Sequence, residues 1–117
     1  MSLIEILSKE QFNEFMIGLQ TKKYKYVIAY FYSPSCMLCK HMISPLINKL
    51  YDLYQDKLIF IQIDISNENL VEIAKNNHIS YVPAIIIFEL DDSKIKCELI
   101  LGSNINKLIE EKIKNII

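Results

Sequence analysis

Short runs of consecutive apolar residues alternate along this chain with longer segments in which apolar residues recur every three or four positions. The short runs are rich in β-branched and aromatic residues, which is typical of strands buried inside a sheet. An Asp-Asp-Ser turn separates the last two runs and predicts a hairpin. The predicted strands are an edge strand at residues 3–7, buried strands at residues 26–32, 58–65 and 84–88, and a returning antiparallel strand at residues 95–101.

The segments with helical spacing predict four helices. Ser8 and Gln11 form a capping box that begins the first helix, and Pro45 is expected to kink the second. Each helix has one apolar face that we expect to turn inward. These faces are Phe12, Phe15, Met16 and Leu19; Cys39, Met42, Ile43, Leu46, Ile47, Leu50 and Leu53; Leu70, Ile73 and Ala74; and Ile105, Leu108, Ile109, Ile113 and Ile116.

Strands that alternate with helices and end in a hairpin predict an α/β fold, with a central mixed β-sheet flanked by α-helices. The chain has 117 residues, of which 51% are hydrophobic, and it shows no linker, repeat or low-complexity segment. We therefore expect a single domain over residues 1–117.

The charge balance excludes several classes of partner. Thirteen lysines face fourteen acidic residues, so the chain lacks the positive field that nucleic acids or anionic membranes attract. Its apolar runs are far shorter than the roughly 18 residues of a membrane span. The N-terminal residues show no signal peptide, which favours a cytoplasmic location.

The cysteines carry the chemistry. Cys36 and Cys39 follow a buried strand and begin a helix, so their side chains share one helix face and can form a short disulfide or a dithiol. A helix N-terminus stabilises a thiolate. The outer Cys36 is the predicted nucleophile, and Cys39 is the predicted resolving thiol.

A metal site is the alternative interpretation of a Cys-x-x-Cys pair. A structural zinc ion needs four ligands, and only Cys97, His41 and His78 remain as further sulfur or imidazole donors. We therefore expect no metal and no cofactor. Cys97 lies within a predicted strand and is expected to be a small buried hydrophobic residue.

Four segments resemble the thioredoxin family in order and spacing, over nearly the whole chain. They are Phe-Tyr-Ser-Pro-Ser-Cys-Met-Leu-Cys-Lys at residues 31–40, Ile-Gln-Ile-Asp at 61–64, Ile-Ser-Tyr-Val-Pro-Ala at 79–84, and Gly102. The Cys-x-x-Cys pair beside a βαβ pattern is itself a thioredoxin-like signature.

The resemblance implies a thioredoxin-like fold and a protein thiol-disulfide oxidoreductase that reduces disulfides through Cys36 and Cys39. It implies a cis peptide bond before Pro83, a substrate-binding backbone at Val82, and Gly102 beside the same groove. The implied partners are disulfide-containing protein substrates and an electron donor of the thioredoxin-reductase type.

Several positions depart from the family pattern. Met37 and Leu38 stand where reducing thioredoxins commonly have Gly-Pro, and Ser35 replaces the usual Trp. A buried Asp and its Lys partner are replaced by Tyr30 and Phe60, and the helix proline falls one residue later, at Pro45. Loss of the buried acid predicts slower resolution or a narrower substrate range. The Met-Leu dipeptide leaves open a disulfide-oxidising or isomerising member of the family, and the lost charge pair and Trp leave open a non-catalytic interaction module.

Overall fold

The computed structural model describes residues 3–117, in which five strands form one mixed sheet. The strands lie side by side in the order β1-β3-β2-β4-β5. The first three are parallel, and β4 runs antiparallel to both β2 and β5. Their bounds are β1 (Ile4–Glu5), β2 (Tyr26–Tyr32), β3 (Ile59–Asp64), β4 (Ala84–Asp91) and β5 (Lys94–Ile100).

Helices cover both faces of the sheet, which confirms the predicted architecture. They are α1 (Lys9–Gln20); α2 (Ser44–Tyr54), which continues a π-helical turn at Cys39–Ile43; α3 (Val71–Asn76), which continues a 3₁₀ turn at Glu68–Leu70; and α4 (Ile105–Ile116). Buried residues of α2 and α4 pack in one core cluster, and those of α1 and α3 pack in the other.

Strand β2 is the centre of the molecule because its side chains alternate between the two clusters. Ile28 and Tyr30 pack with α2 and α4, whereas Val27, Ala29 and Phe31 pack with α1 and α3. These five side chains are at most 1% exposed. The strand is therefore held from both sides, and the segment that follows it begins from a rigid position.

The first helix begins as its capping box predicts, with one difference. Ser8 Oγ accepts a hydrogen bond from the Gln11 N–H at 3.1 Å. The Gln11 side chain, however, accepts from the Leu7 N–H at 2.7 Å rather than from the Ser8 N–H that a capping box uses. The backbone N–H groups of Leu7 and Gln11 therefore both have hydrogen-bond acceptors at the helix start.

Two residues of the second helix that were predicted to face inward are exposed, so these two predictions are wrong. Met42 is 49% exposed and Leu53 is 58% exposed. The buried stripe instead follows Cys39, Ile43, Ile47, Leu50 and Tyr51. Met42 lies within the π turn, which is wider than an α turn, and Leu53 lies beyond the edge of this stripe.

The prediction that Cys97 is buried is also wrong, since this residue is exposed. Its strand β5 is at the edge of the sheet, where Leu99 is 42% exposed as well. Ile95 and Ile100 of this strand pack against the core, whereas Cys97 and Leu99 remain exposed. Partial burial still raises the pKa of Cys97 above the ordinary value of a thiol.

Within residues 3–117, no helix has the length and apolar character that crossing a membrane would require. Met1 and Ser2, which are part of the N-terminal segment considered for a signal peptide, lie outside the described residues.

Candidate active site

Cys36 and Cys39 form a disulfide just beyond the end of β2, with their Cα atoms 5.2 Å apart. The Cys36 N–H donates to Ser33 O at 3.1 Å, which turns the chain from the strand into the helix. The Cys39 N–H donates to Cys36 Sγ at 3.1 Å. A backbone N–H aimed at this sulfur would stabilise negative charge on it after reduction.

The two sulfur-bearing residues differ in exposure. Cys36 is partly exposed, whereas Cys39 is 1% exposed. An incoming disulfide can therefore reach Cys36 but not Cys39. This is the order of access that a nucleophile and a resolving thiol require.

The helix that carries Cys39 contains a π turn directly before Pro45. The Ser44 N–H donates to Cys39 O across this turn, five residues back along the chain. A π turn holds one residue more than an α turn. The extra residue accommodates the proline, which falls one residue later than in the family pattern. The irregularity that Pro45 predicted is therefore a π turn.

Tyr30 lies beneath the π turn, at the position where the family pattern has an acid. Its hydroxyl is 2.8 Å from Ser44 Oγ and 3.5 Å from Cys39 O. Its ring stacks on Tyr32, with centroids 5.6 Å apart. Burial raises the pKa of Tyr30, although its bond to Ser44 opposes this, so the phenol stays protonated at neutral pH.

Phe60, at the position of the family's lysine, is 1% exposed and packs edge-on against Tyr51, with ring centroids 6.0 Å apart. Aromatic packing therefore takes the place of the buried ion pair of the family pattern, as the sequence predicted. A hydroxyl and a phenyl ring occupy this part of the core.

One groove runs beside the buried cysteine and was not predicted from the sequence. We call it the Tyr32 groove; it encloses about 300 Å³. At its end, Tyr32 donates to both Glu5 carboxylate oxygens at 2.9 Å, and Gln62 Nε2 donates to Glu5 Oε1 at 2.6 Å. Burial and the neighbouring Glu5 raise the pKa of Tyr32. The groove is lined by Tyr32, Ser33, Pro34, Cys39, Lys40 and Ser44.

A second groove brings together the predicted binding residues Val82, Pro83 and Gly102. We call it the proline groove; it encloses about 200 Å³ and is lined by these three residues with Leu38, Tyr81 and Ser103. The Val82-Pro83 peptide bond is cis, as the resemblance implied. Because Leu38 lies between the two cysteines, the groove borders the disulfide.

The surface around the proline groove is apolar. Met37, Leu38 and Tyr81 are 61%, 45% and 58% exposed. The sequence predicted this exposed apolar surface at Met37 and Leu38 but not at Tyr81. The position of Tyr81 next to Val82 was the signal that could have indicated it. Gly102 has φ +97°, and a Cβ there would meet no atom within 4 Å, so its face of the groove is open.

The remaining candidate ligands do not form a metal site with the cysteine pair, although His41 lies in the π turn that carries Cys39. Among residues 3–117, no three His, Cys, Asp or Glu side chains are grouped closely enough to hold a metal ion. Cys97 lies on β5, away from the cysteine pair.

A mixed five-stranded sheet with helices on both faces, a disulfide at a helix start and a neighbouring cis-proline loop define the thioredoxin fold. The family model described as thioredoxin matches residues 3–115. The chain belongs to the thioredoxin family, and its Cys-x-x-Cys pair places it, in general terms, among thiol-disulfide oxidoreductases.

Solved thioredoxin structures share this fold. A reduced thioredoxin pre-protein from Schistosoma mansoni is 28% identical, with a TM-score of 0.77 over 100% of both chains. Oxidised thioredoxin O2 from Arabidopsis thaliana is 23% identical, with a TM-score of 0.75 over 97% of this chain and 93% of that one.

A structure that concerns thiol resolution in a yeast mitochondrial 1-Cys peroxiredoxin via glutathione/thioredoxin systems contains a chain that is 23% identical to this one. The match has a TM-score of 0.75 over 97% of this chain and 95% of that chain. No curated protein matches the sequence.

Proposed function

We propose that this protein reduces disulfides in other proteins, with Cys36 as nucleophile and Cys39 as resolving thiol. The observation that carries the proposal is the pairing of a partly exposed Cys36 with a buried Cys39 in one disulfide at a helix start. Both redox states fit this geometry, because the two residues are three positions apart on one helix face.

The reaction begins from the dithiol. The Cys36 thiolate attacks one sulfur of the substrate disulfide, the substrate S–S bond breaks, and its other sulfur leaves as a thiolate. Cys39 then loses its proton and attacks Cys36 Sγ. The Cys36–Cys39 disulfide forms, and the second substrate sulfur leaves with the electron pair of the broken bond.

The proline groove is the proposed binding surface for the substrate chain. Val82 and Pro83 would offer backbone to an extended segment, which is how a strand is added to an exposed edge. Exposed Met37, Leu38 and Tyr81 favour apolar side chains beside the substrate disulfide. Gly102, which has no side chain, would leave the opposite side of the groove open to the substrate.

An electron donor of the thioredoxin-reductase type would return the protein to the dithiol. A peroxiredoxin is one protein substrate to test, given the subject of the yeast structure. The cytoplasm is the proposed location, since the chain lacks the cysteine framework of secreted domains.

Turnover of a protein disulfide tests the proposal directly. We expect the Cys36→Ser variant to lose all activity and the Cys39→Ser variant to accumulate a mixed disulfide that gel electrophoresis without reductant detects. The Cys97→Ser variant, which changes an exposed thiol outside the site, is the matched control and should keep wild-type activity. Equal activity in the wild type and in Cys36→Ser would instead support a non-catalytic interaction module.

The direction of the reaction is tested by the reduction potential of the pair. In glutathione buffers of graded composition, alkylation followed by mass measurement distinguishes the dithiol from the disulfide. A potential near or below the cytosolic poise of roughly −220 to −320 mV supports a reductant. A much higher potential would support the alternative, a disulfide-oxidising or isomerising member of the family.

A further inference from the structure

The π turn that carries Cys39 is closed by a triangle of polar contacts. The Ser44 N–H donates to Cys39 O, Ser44 Oγ lies 2.8 Å from the Tyr30 hydroxyl, and that hydroxyl lies 3.5 Å from Cys39 O. When Ser44 donates to Tyr30, the Tyr30 proton remains available to Cys39 O. The two ends of the turn are therefore joined both through the backbone and through one side chain.

Tyr30 is a rigid support for this turn. It lies on the central strand β2, is 1% exposed, and stacks on Tyr32. Ser44, in contrast, is partly exposed and lines the Tyr32 groove together with Cys39. The contact thus connects the buried central strand of the sheet to the turn that carries Cys39, the residue that must attack Cys36.

We propose that Tyr30 and Ser44 are positioning residues for the resolving step, and that their hydroxyl pair holds the π turn so that Cys39 Sγ faces Cys36 Sγ. This inference rests on the proposed function and assigns a role to two residues that it does not otherwise use. Displacing a reacting atom by a fraction of an ångström is enough to slow a step that depends on near-attack geometry. The pair contacts Cys39 directly, whereas it is linked to Cys36 only through the Cys39 N–H that donates to Cys36 Sγ, so the larger effect is expected on Cys39.

The chemistry of the step remains that of thiol-disulfide exchange. The Cys39 proton passes to water in the Tyr32 groove, and the Cys39 thiolate then forms a bond to Cys36 Sγ. The bond between Cys36 and the substrate sulfur breaks, and that sulfur leaves as a thiolate. No oxidant or reductant beyond the dithiol and the substrate disulfide is required.

An aryl disulfide that releases a coloured thiolate separates the two steps in a stopped-flow experiment. The first equivalent of colour reports the attack by Cys36, and the second reports resolution by Cys39. All proteins carry Cys97→Ser, because the exposed third thiol would add its own signal. The variants are Tyr30→Phe, Ser44→Ala, their combination, and Ser44→Thr, which keeps a hydroxyl.

We expect Tyr30→Phe and Ser44→Ala each to slow the second phase by about three- to tenfold, the range that loss of one hydrogen bond produces. The first phase should stay within about twofold of the wild type, well under that range. The double variant should be no slower than the slower single variant, because the two hydroxyls act as one pair. Ser44→Thr should restore the rate.

Two results would overturn the positioning role: a second phase unchanged in both single variants, or equal slowing of both phases. If Tyr30→Phe fails to fold, Ser44→Ala at its partly exposed position carries the test. If the wild type releases only one equivalent, Cys39 does not resolve, and the proposed function fails together with this inference. Two equivalents at equal rates in all variants would reject the positioning role alone.

Discussion

Tyr30 places a neutral hydroxyl under the disulfide where related proteins have a charge. A buried carboxylate is costly unless it is paired, and its lysine partner would have to be buried as well. The Tyr30 phenol and the Phe60 ring fill this space without charge, and no charged side chain is buried among residues 3–117. Packing of this region therefore requires no ion pair.

Gly102 is the residue in the proline groove whose backbone tolerates replacement least. Its φ of +97° lies outside the region that L side chains adopt readily. We expect Gly102→Ala to lower the free energy of unfolding by on the order of 1 kcal/mol or more. The added methyl group would also stand in the open groove and raise KM for protein substrates.

Urea unfolding and steady-state reduction of a protein disulfide measure these two effects. Lys107→Ala, at an exposed position of α4 outside the proline groove, is the control and should change neither quantity appreciably. A Gly102→Ala protein with wild-type stability and wild-type KM would show that neither the backbone conformation nor the open wall matters.

Within the elements, Gly18 determines how closely α1 approaches the loop before β2. A Cβ at this position would overlap Tyr24 Oη and Cζ and would lie 2.9 Å from Cε1. The Tyr24 hydroxyl is held by a hydrogen bond to Phe15 O at 2.8 Å, so the ring cannot easily move aside. We expect Gly18→Ala to destabilise the protein by about 1–3 kcal/mol, the cost typical of overpacking.

This result would oppose intrinsic helix propensity, which favours Ala over Gly by about 1 kcal/mol. Thermal or urea unfolding measures the sign. Asn13→Ala on the exposed side of α1 is the control and should be neutral or slightly stabilising. Adding Tyr24→Ala to Gly18→Ala should recover part of the loss, and a single variant more stable than the wild type would contradict the steric argument.

Most elements were predictable because their patterns directly reflect burial. The run of β-branched and aromatic residues at Tyr26–Tyr32 is the central strand with the predicted bounds. The α4 face is buried at Ile105, Ile109 and Ile113 as its spacing indicated, whereas Leu108, which was also predicted to turn inward, is 39% exposed. In these segments, the spacing of the apolar residues matches the face that neighbouring elements cover.

The errors arose where burial depends on neighbours that the local pattern does not contain. Cys97 shares a strand face with Ile95 and Leu99, as a buried position would, yet β5 is at the edge of the sheet and Cys97 is exposed. Met42 has helical spacing relative to Cys39, but the π turn changes the spacing at that point. Pro45 signalled an irregularity, whereas its form depends on the backbone bond between Ser44 and Cys39.

At the scale of the whole molecule, the fold sets the disulfide between two grooves. The Tyr32 groove borders Cys39, and the proline groove borders Leu38. The resemblance to the thioredoxin family was sufficient to predict Val82, Pro83 and Gly102 as neighbours. The contact of Tyr30 with Ser44 joins residues 14 positions apart through the core, and no spacing rule would have indicated it.

Stability in alkali is a property of the whole fold, because buried or half-buried tyrosines contact both core clusters. Burial is the main cause that raises the pKa of Tyr24, Tyr30 and Tyr32 in the folded protein. The unfolded chain loses these protons near the ordinary value of about 10, while the folded protein keeps them. The free energy of unfolding should therefore fall as pH rises above about 10.

Urea unfolding at intervals between pH 8 and pH 12, the range around the ordinary pKa of about 10, measures this dependence. These three groups contribute nothing to the slope at the lower end, where they are protonated in both states. Tyr32→Phe should give a shallower decline at the alkaline end. A free energy of unfolding that stays constant to the upper limit would show that the phenols ionise freely in the folded protein.

Both edges of the sheet are poor templates for another strand. The edge strand β1 has two residues, and the exposed residues of β5 include Lys94, Lys96 and Glu98, with Lys96 paired to Asp91 at 2.6 Å. Short and charged edges resist pairing with the strands of other molecules. Unfolded chains and further copies of this protein therefore find little open backbone with which to extend the sheet, which disfavours aggregation through its edges.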